Sequence, residues 1–349
     1  MLGSTVLPER YPMWRYSAYA CAILAVVIAV AVGGENSDPE TRAKDLYSLA
    51  QEHVAKGDYI KAIDSLNQAI GLSPNVDFYL ARAAAYWELD DFDKAITDST
   101  AALAKDPKNS SAYFIRGGLY AEQENYNRAI ADLTHAIDLD STKANYFVAR
   151  AAISGCLEKP QLGIADFNEA IRLEPENYEY LLGRAMFRHG MQDWENLDKD
   201  TAALMKISPN DWIPFALGAK AKWKKSEYIS ALVLCRNAVA LNNDPVLQGR
   251  YACYLGGCPG SDARDFEAAL KLATESCERT EWKDSSCLEA LAYVHYVNDE
   301  FEDALKWQSE AIRNAPEEEK TEKEYVLRSY KNHEKIDPPV TQKMSVTMH

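Results

Sequence analysis

The sequence predicts an all-α chain: a helical-repeat solenoid of about eight helix-turn-helix units, preceded by an N-terminal membrane or signal helix. Three observations lead there. First, a mostly small residue recurs at Ala62, Ala95, Ala129, Gly163, Leu197 and Ala231, at spacings of 33, 34, 34, 34 and 34. A period in that range marks a stacked array. Second, an aromatic residue or leucine opens each unit at Leu46, Tyr79, Tyr113, Phe147, Leu181 and Phe215, and four positions later stands Ala50, Ala83, Gly117, Ala151, Ala185 or Ala219. Third, another bulky column runs through Tyr59, Phe92, Tyr126, Pro160, Trp194 and Tyr228, and Pro74, Pro107, Pro175 and Pro209 close four of the units. Proline at a unit's end stops one helix before the next begins.

Within each unit the halves show the three-and-four spacing of amphipathic helices. Turn pairs such as Gly57-Asp58, Asp90-Asp91, Glu124-Asn125 and Gln192-Asp193 separate them. These columns resemble the tetratricopeptide repeat, in which two antiparallel helices per unit pack small residues against bulky ones of the same and the next unit. The resemblance implies a right-handed solenoid whose concave face is lined by the first helices. One helix pair cannot bury its own apolar side, so stability must come from stacking.

The N-terminal segment reads differently from the repeats. Arg10 and Arg15 precede nineteen uncharged residues from Tyr16 to Gly34, and a polar stretch from Glu35 to Glu40 follows. Residues 1–34 are therefore expected to be a signal peptide or a single transmembrane anchor, with 35–42 as a linker. Ala29-Val30-Ala31 suits a signal peptidase, while the uncharged length also suffices for one span; Met13 offers a second start. Basic residues before the apolar run and acidic ones after it place the repeats on the extracytoplasmic (periplasmic) face of the inner membrane, anchored or secreted. The net charge of −15 over 349 residues makes nucleic acid an unexpected partner.

Six regular units are expected over residues 43–243. In four of them an arginine of the first helix is followed sixteen residues later by an aspartate: Arg82 and Asp98, Arg116 and Asp132, Arg150 and Asp166, Arg184 and Asp200. Antiparallel helices joined by a short turn bring such positions level, which predicts four structural ion pairs. The first unit carries Leu49 and Ser65 at these slots, and the sixth Gly218 and Leu234. By resemblance, the side chains facing the groove include Tyr47, Leu80, Phe114, Val148 and Leu182 in one row and Trp87, Met186, His189 and Trp223 further along. An apolar row beside small residues suits an extended peptide or a partner helix. Relatives that bind the acidic C-termini of chaperones use a clamp of lysines and asparagines; Lys44 and Asn145 are the counterparts here among mostly apolar residues, so that partner class is not expected.

From Pro245 the register changes. Residues 244–316 are expected to form two further units, the first with a turn enlarged by Gly256-Gly257-Cys258-Pro259-Gly260, after which Ser261 or Asp262 is expected to cap a longer helix. Residues 317–337 read as a charged closing helix and 338–349 as a disordered tail. Cys258-Pro259, Arg264-Asp265, Ala273-Thr274, Cys277-Glu278, Thr280, Trp282-Lys283 and Lys306-Trp307-Gln308 resemble the C-terminal part of repeat proteins abundant in planctomycete bacteria, a family that brings no settled activity with it. In an oxidising compartment Cys156, Cys235, Cys253, Cys258, Cys277 and Cys287 are candidates for bridges, Cys277 with Cys287 first among them, although buried free thiols are the leading expectation.

Neither paired cysteine ligands for zinc nor a Cys-x-x-Cys-His haem site occurs, so no metal or cofactor is expected. No Gly-x-Ser-x-Gly, His-Glu-x-x-His or P-loop stretch occurs either. The sequence therefore points to a non-enzymatic scaffold or adaptor in the bacterial cell envelope that binds a partner protein in its concave groove. Its rivals are a self-associating structural protein and, behind that, an enzyme or redox protein using the C-terminal cysteines.

Overall fold

Most of the described helices start from the same local chemistry. An Asp or Asn side chain caps them, as at Asp38, Asn75, Asn109, Asp211 and Asp284, and an apolar stripe at helical spacing gives each a face to bury. The computed structural model describes residues 38–260 and 263–338, and among these it shows 17 helices and no strand. The expected signal or anchor segment lies outside the described residues; within them, no helix is long and apolar enough to cross a membrane.

Helices α1 (Pro39–Ala55) and α2 (Tyr59–Leu72) form the first pair, α3 (Val76–Glu88) and α4 (Phe92–Lys105) the second, and α5 (Ser110–Glu122) and α6 (Tyr126–Leu139) the third. Then come α7 (Ala144–Cys156) with α8 (Pro160–Leu173), α9 (Tyr178–Gly190) with α10 (Trp194–Ile207), and α11 (Trp212–Lys224) with α12 (Tyr228–Leu241). The last pairs are α13 (Pro245–Gly257) with α14 (Phe266–Arg279) and α15 (Ser285–Val297) with α16 (Phe301–Asn314), closed by α17 (Glu317–Lys331). Contacts divide the chain into an N-terminal body through Tyr180 and a C-terminal body from Leu181, the boundary falling inside α9. Helix α1 begins at Pro39 on an Asp38 cap, so the expected linker through residue 42 is shorter than read.

The small columns explain the pairing. Ala50, Ala83, Ala151, Ala185 and Ala219 are all at most 1% exposed, because the second helix of the pair lies directly against them. At Gly117 even a methyl group would sit 3.0 Å from Leu133 Cγ and 3.2 Å from the Ala129 carbonyl. Turns are equally repetitive. Gly57, Asp90, Glu124, Glu158, Gln192, Ser226 and Asp299 all carry φ between 53° and 74°, and the next residue's N–H bonds five residues back, as Asp91 does to the Tyr86 carbonyl at 2.9 Å. That left-handed residue ends one helix and aims the following Asp58, Asp91 or Asp193 to cap the next.

The C-terminal body departs from this pattern where the sequence does. Residues 258–265 join α13 to α14, and α14 has the ordinary 14 residues rather than the extra length expected. Its cap is Asp265, which accepts from Ala268 N at 3.0 Å; the caps expected at Ser261 or Asp262 lie outside the described residues. Arg264 fastens the long connection by donating to the carbonyls of Gly256 (2.7 Å) and Val297 (2.6 Å). The glycines before it are not there for flexibility. A methyl on Gly257 would lie 2.5 Å from Tyr293 Oη, and one on Gly256 3.3 Å from Ala269 Cβ, so α13 needs them to pack closely on its neighbours.

At the far end, Lys323 of α17 meets Glu289 of α15 at 2.7 Å with both side chains at most 7% exposed, and Gln308 of α16 donates to Glu289 and to the Lys323 carbonyl. The closing helix stops at Lys331 rather than continuing to 337. His333 then adopts φ 55° and Glu334 N bonds to the Ser329 carbonyl, as in the short turns at Asp90, Glu124 and Asp299. Residues 334–338 are not helical, and Asp337-Pro338 favours extended backbone. Pro338, expected to open a disordered tail, is buried.

Candidate functional site: the faces of the first helices

The four arginine–aspartate pairs form a ladder. Arg82 grips Asp98 through two parallel bonds of 2.7 Å, Arg116 grips Asp132 at 2.7 and 3.0 Å, Arg150 grips Asp166 at 2.9 and 2.7 Å, and Arg184 grips Asp200 at 3.2 and 2.6 Å. The third guanidinium nitrogen reaches back to the preceding pair's second helix: Arg82 to Asn67, Arg116 to Thr100, Arg150 to Thr134. The aspartates are almost wholly buried. Burial pushes the Asp166 carboxyl up from the usual range, against the opposing pull of Arg150. These pairs brace the stack and face no open site.

The expected groove row divides in two. Trp87, Phe114, Leu182 and Trp223 are buried, so they pack the stack instead of lining a free surface. Trp87 donates its indole N–H to Glu122 at 3.3 Å, the ring of Phe114 lies 4.7 Å from that of Tyr146, and Trp223 stacks on Tyr254 at 4.4 Å. A neighbouring first helix supplies each cover: Glu122, Tyr146 and Tyr254 stand one pair further along the chain. Tyr47, Leu80, Val148 and Met186 remain half-buried on the helix face. Tyr47 rests against Phe78, with ring centres 5.0 Å apart.

The same rows continue into the C-terminal body with different chemistry. Arg250 occupies the row of Tyr47, Leu80, Phe114, Val148 and Leu182; Lys220 occupies that of Ala84, Gly118, Ala152 and Met186; Lys224 occupies that of Glu88 and Glu122. Together with His189 they crowd basic groups on the faces of α9, α11 and α13. Burial, then the charges of Lys224 and Arg250, push Lys220 down to about 7, with Asp337 opposing. Burial, then Lys220 and Arg250, hold His189 down to about 4. Composition hides this cluster because it is only one or two side chains per helix; extending the rows by two repeats reveals it.

No bridge forms among the described cysteines. Cys277 and Cys287, the first candidates for a bridge although buried free thiols are the leading expectation, are free thiols in one apolar cluster with Ala252, Leu288 and Leu291. Burial raises both to about 12 and Cys235 likewise, which disfavours the thiolate that metal and disulfide chemistry require. The residues of the narrower C-terminal resemblance also serve structure: Arg264 and Asp265 hold the long turn, Trp282 stacks on Trp307 at 5.0 Å, and Gln308 joins the Glu289–Lys323 pair. His295, Glu300 and Asp303 place ligand atoms within 4.8 Å of one another, but His295 Nδ1 already meets Glu300 at 2.6 Å and both acids are exposed.

Known proteins share this arrangement. Residues 47–99 and 80–144 match the family model for the tetratricopeptide repeat. A curated relative, the small glutamine-rich tetratricopeptide repeat-containing protein 2 of Saccharomyces cerevisiae, is 30% identical over 81 residues, and the match spans 23% of this chain and 23% of that protein. Among solved structures, the C-terminal part of a TPR repeat-containing protein from Cytophaga hutchinsonii is similar with a TM-score of 0.61 at 15% identity, covering 70% of this chain and 99% of that one. The pilF protein of Pseudomonas aeruginosa gives 0.50 at 18% identity, covering 59% and 94%. Residues 47–144 carry tetratricopeptide repeats.

Proposed function

We propose that this chain is a non-enzymatic scaffold that binds segments of partner proteins on the faces of its first helices. The observation that carries this reading is the half-buried row of Tyr47, Leu80 and Val148, with the small residues Ala84, Gly118 and Ala152 one turn further along the first helices. The burial of Cys277 and Cys287 in an apolar cluster speaks against the redox alternative. An uncharged N-terminal stretch after Arg10 and Arg15 supports a setting in the cell envelope.

The test uses photoreactive side chains at Leu80 and Val148, since Phe114 and Leu182 are buried, with exposed Ile60 on α2 as the off-face control. Partner proteins crosslinked from Leu80 and Val148 but not from Ile60, and lost on Tyr47→Ala, are the expected result. Equal capture from all three positions would sink the face assignment. Capture of this chain alone would replace the scaffold with self-association, and the mass of the N-terminal peptide reads anchored against released protein.

A further inference from the structure

The face of the C-terminal body is already covered by the chain itself. After the turn at His333, residues 334–338 cross the faces of three first helices in succession. The Glu334 carbonyl accepts from Tyr296 Oη of α15 at 2.6 Å. Ile336 packs with Cys253 of α13 and with Ala290, Tyr293 and Val297 of α15. Asp337 places Oδ2 2.5 Å from Lys224 Nζ of α11, and Pro338 is buried. The contact is chemically matched: one aliphatic side chain enters an apolar seat, and the next residue's carboxylate meets the basic crowd of Lys224, Lys220 and Arg250. Tyr254, stacked on Trp223 beside this path, keeps a buried hydroxyl with no hydrogen-bond partner in the protein.

Two features mark the segment as an occupant rather than part of the stack. It carries no helix although the turn before it is one that elsewhere leads into a helix. Its polar anchor is also exposed, with the Asp337 side chain 71% accessible, whereas the Glu289–Lys323 pair that fixes α17 is buried. An exposed ion pair contributes little. The segment's polar anchor is therefore weak, over a face whose basic groups gain from a carboxylate.

We infer that residues 334–338 are an internal occupant of this face, and that a partner reaches it by displacing them with a segment of the same chemistry, an aliphatic residue followed by a carboxylate. This rests on the reading that first-helix faces take partner segments. In the experiment, a fluorescein-labelled peptide of residues 331–338 is titrated into the full chain and into the full chain carrying Ile336→Ser and Asp337→Lys, with fluorescence anisotropy as the readout. The substituted chain is expected to bind at least about tenfold more tightly, since its own copy no longer competes. Adding Lys224→Glu is expected to abolish that binding.

Equal affinity for both chains would overturn the inference, because the face would then be open in solution. Absence of binding to the substituted chain would overturn it too, because the face would not take this chemistry. Helical circular dichroism and melting accompany each variant; Asp337→Lys alone, at an exposed position, gives the same comparison if the double substitution unfolds. Crosslinking at Leu80 and Val148 reports on the other body, so it keeps its outcome whichever way the peptide experiment falls.

Discussion

The two bodies use one repeat in opposite ways. In the N-terminal body a single bidentate pair recurs at Arg82, Arg116 and Arg150, and the face beside it carries Leu80, Val148 and the acids Glu88 and Glu122. In the C-terminal body, past Arg184, the arginine slot becomes Gly218, where a methyl would lie 3.2 Å from Thr201 Oγ1 and 3.3 Å from Leu234 Cδ1, and the face turns basic. Ion pairs there are individual: Lys222 and Lys225 converge on Asp198 at 2.8 and 2.7 Å, and Lys323 is buried on Glu289. Repetition supplies stability where the face is generic, and singular contacts appear where the face is specialised.

The sharpest way to break this contrast is to remove a singular contact. Lys323→Met leaves Glu289 buried without its counter-ion, and a loss of about 3–5 kcal/mol in urea unfolding is expected. Replacing both, with Glu289→Leu added, is expected to restore most of it. A rung of the ladder costs less: Arg116→Met strands Asp132 and is expected to lose about 2–3 kcal/mol. Arg82→Met and Arg150→Met share no partner and are expected to add within about 0.5 kcal/mol, which a double-substitution measurement checks.

The basic face gives the comparison a pH signature. His189 is held near 4 by burial and by Lys220 and Arg250, below its unfolded value of 6.5. The unfolded chain therefore takes up a proton that the folded chain refuses as pH falls below about 6.5, and stability declines toward pH 4. At pH 5 the loss is about 2 kcal/mol, and His189→Asn is expected to remove it from the pH profile of unfolding. Smaller still are the glycine contrasts. Gly257→Ala drives a methyl into Tyr293 and is expected to cost about 1–3 kcal/mol, whereas Gly71→Ala, with open space around its Cβ, is expected to gain about 0.5–1 kcal/mol.

Much of this architecture was written in columns. Spacings of 34 locate every helix pair through α12, and the arginine–aspartate offset of sixteen locates the rungs, because both depend only on repeat geometry. Depth was not legible. A row says which side of a helix a residue occupies, but whether Phe114 is open or covered depends on the next helix offering Tyr146. The same limit hid the role of Gly257, set by a tyrosine thirty-six residues away, and the seat of Ile336, which requires a chain end to fold back. Cys277 and Cys287 follow the leading expectation of buried free thiols rather than the alternative of a bridge, because an apolar core suits both.

The third nitrogen of each ladder arginine has a consequence for how the N-terminal body comes apart. Arg116 holds α5, grips Asp132 on α6 and touches Thr100 on α4, so one side chain spans three helices and two repeats. A helix cannot fray alone without releasing a rung on each side of it. Opening therefore proceeds in overlapping blocks rather than single hairpins, and the backbone amides of α4 through α7 are expected to exchange their hydrogens together.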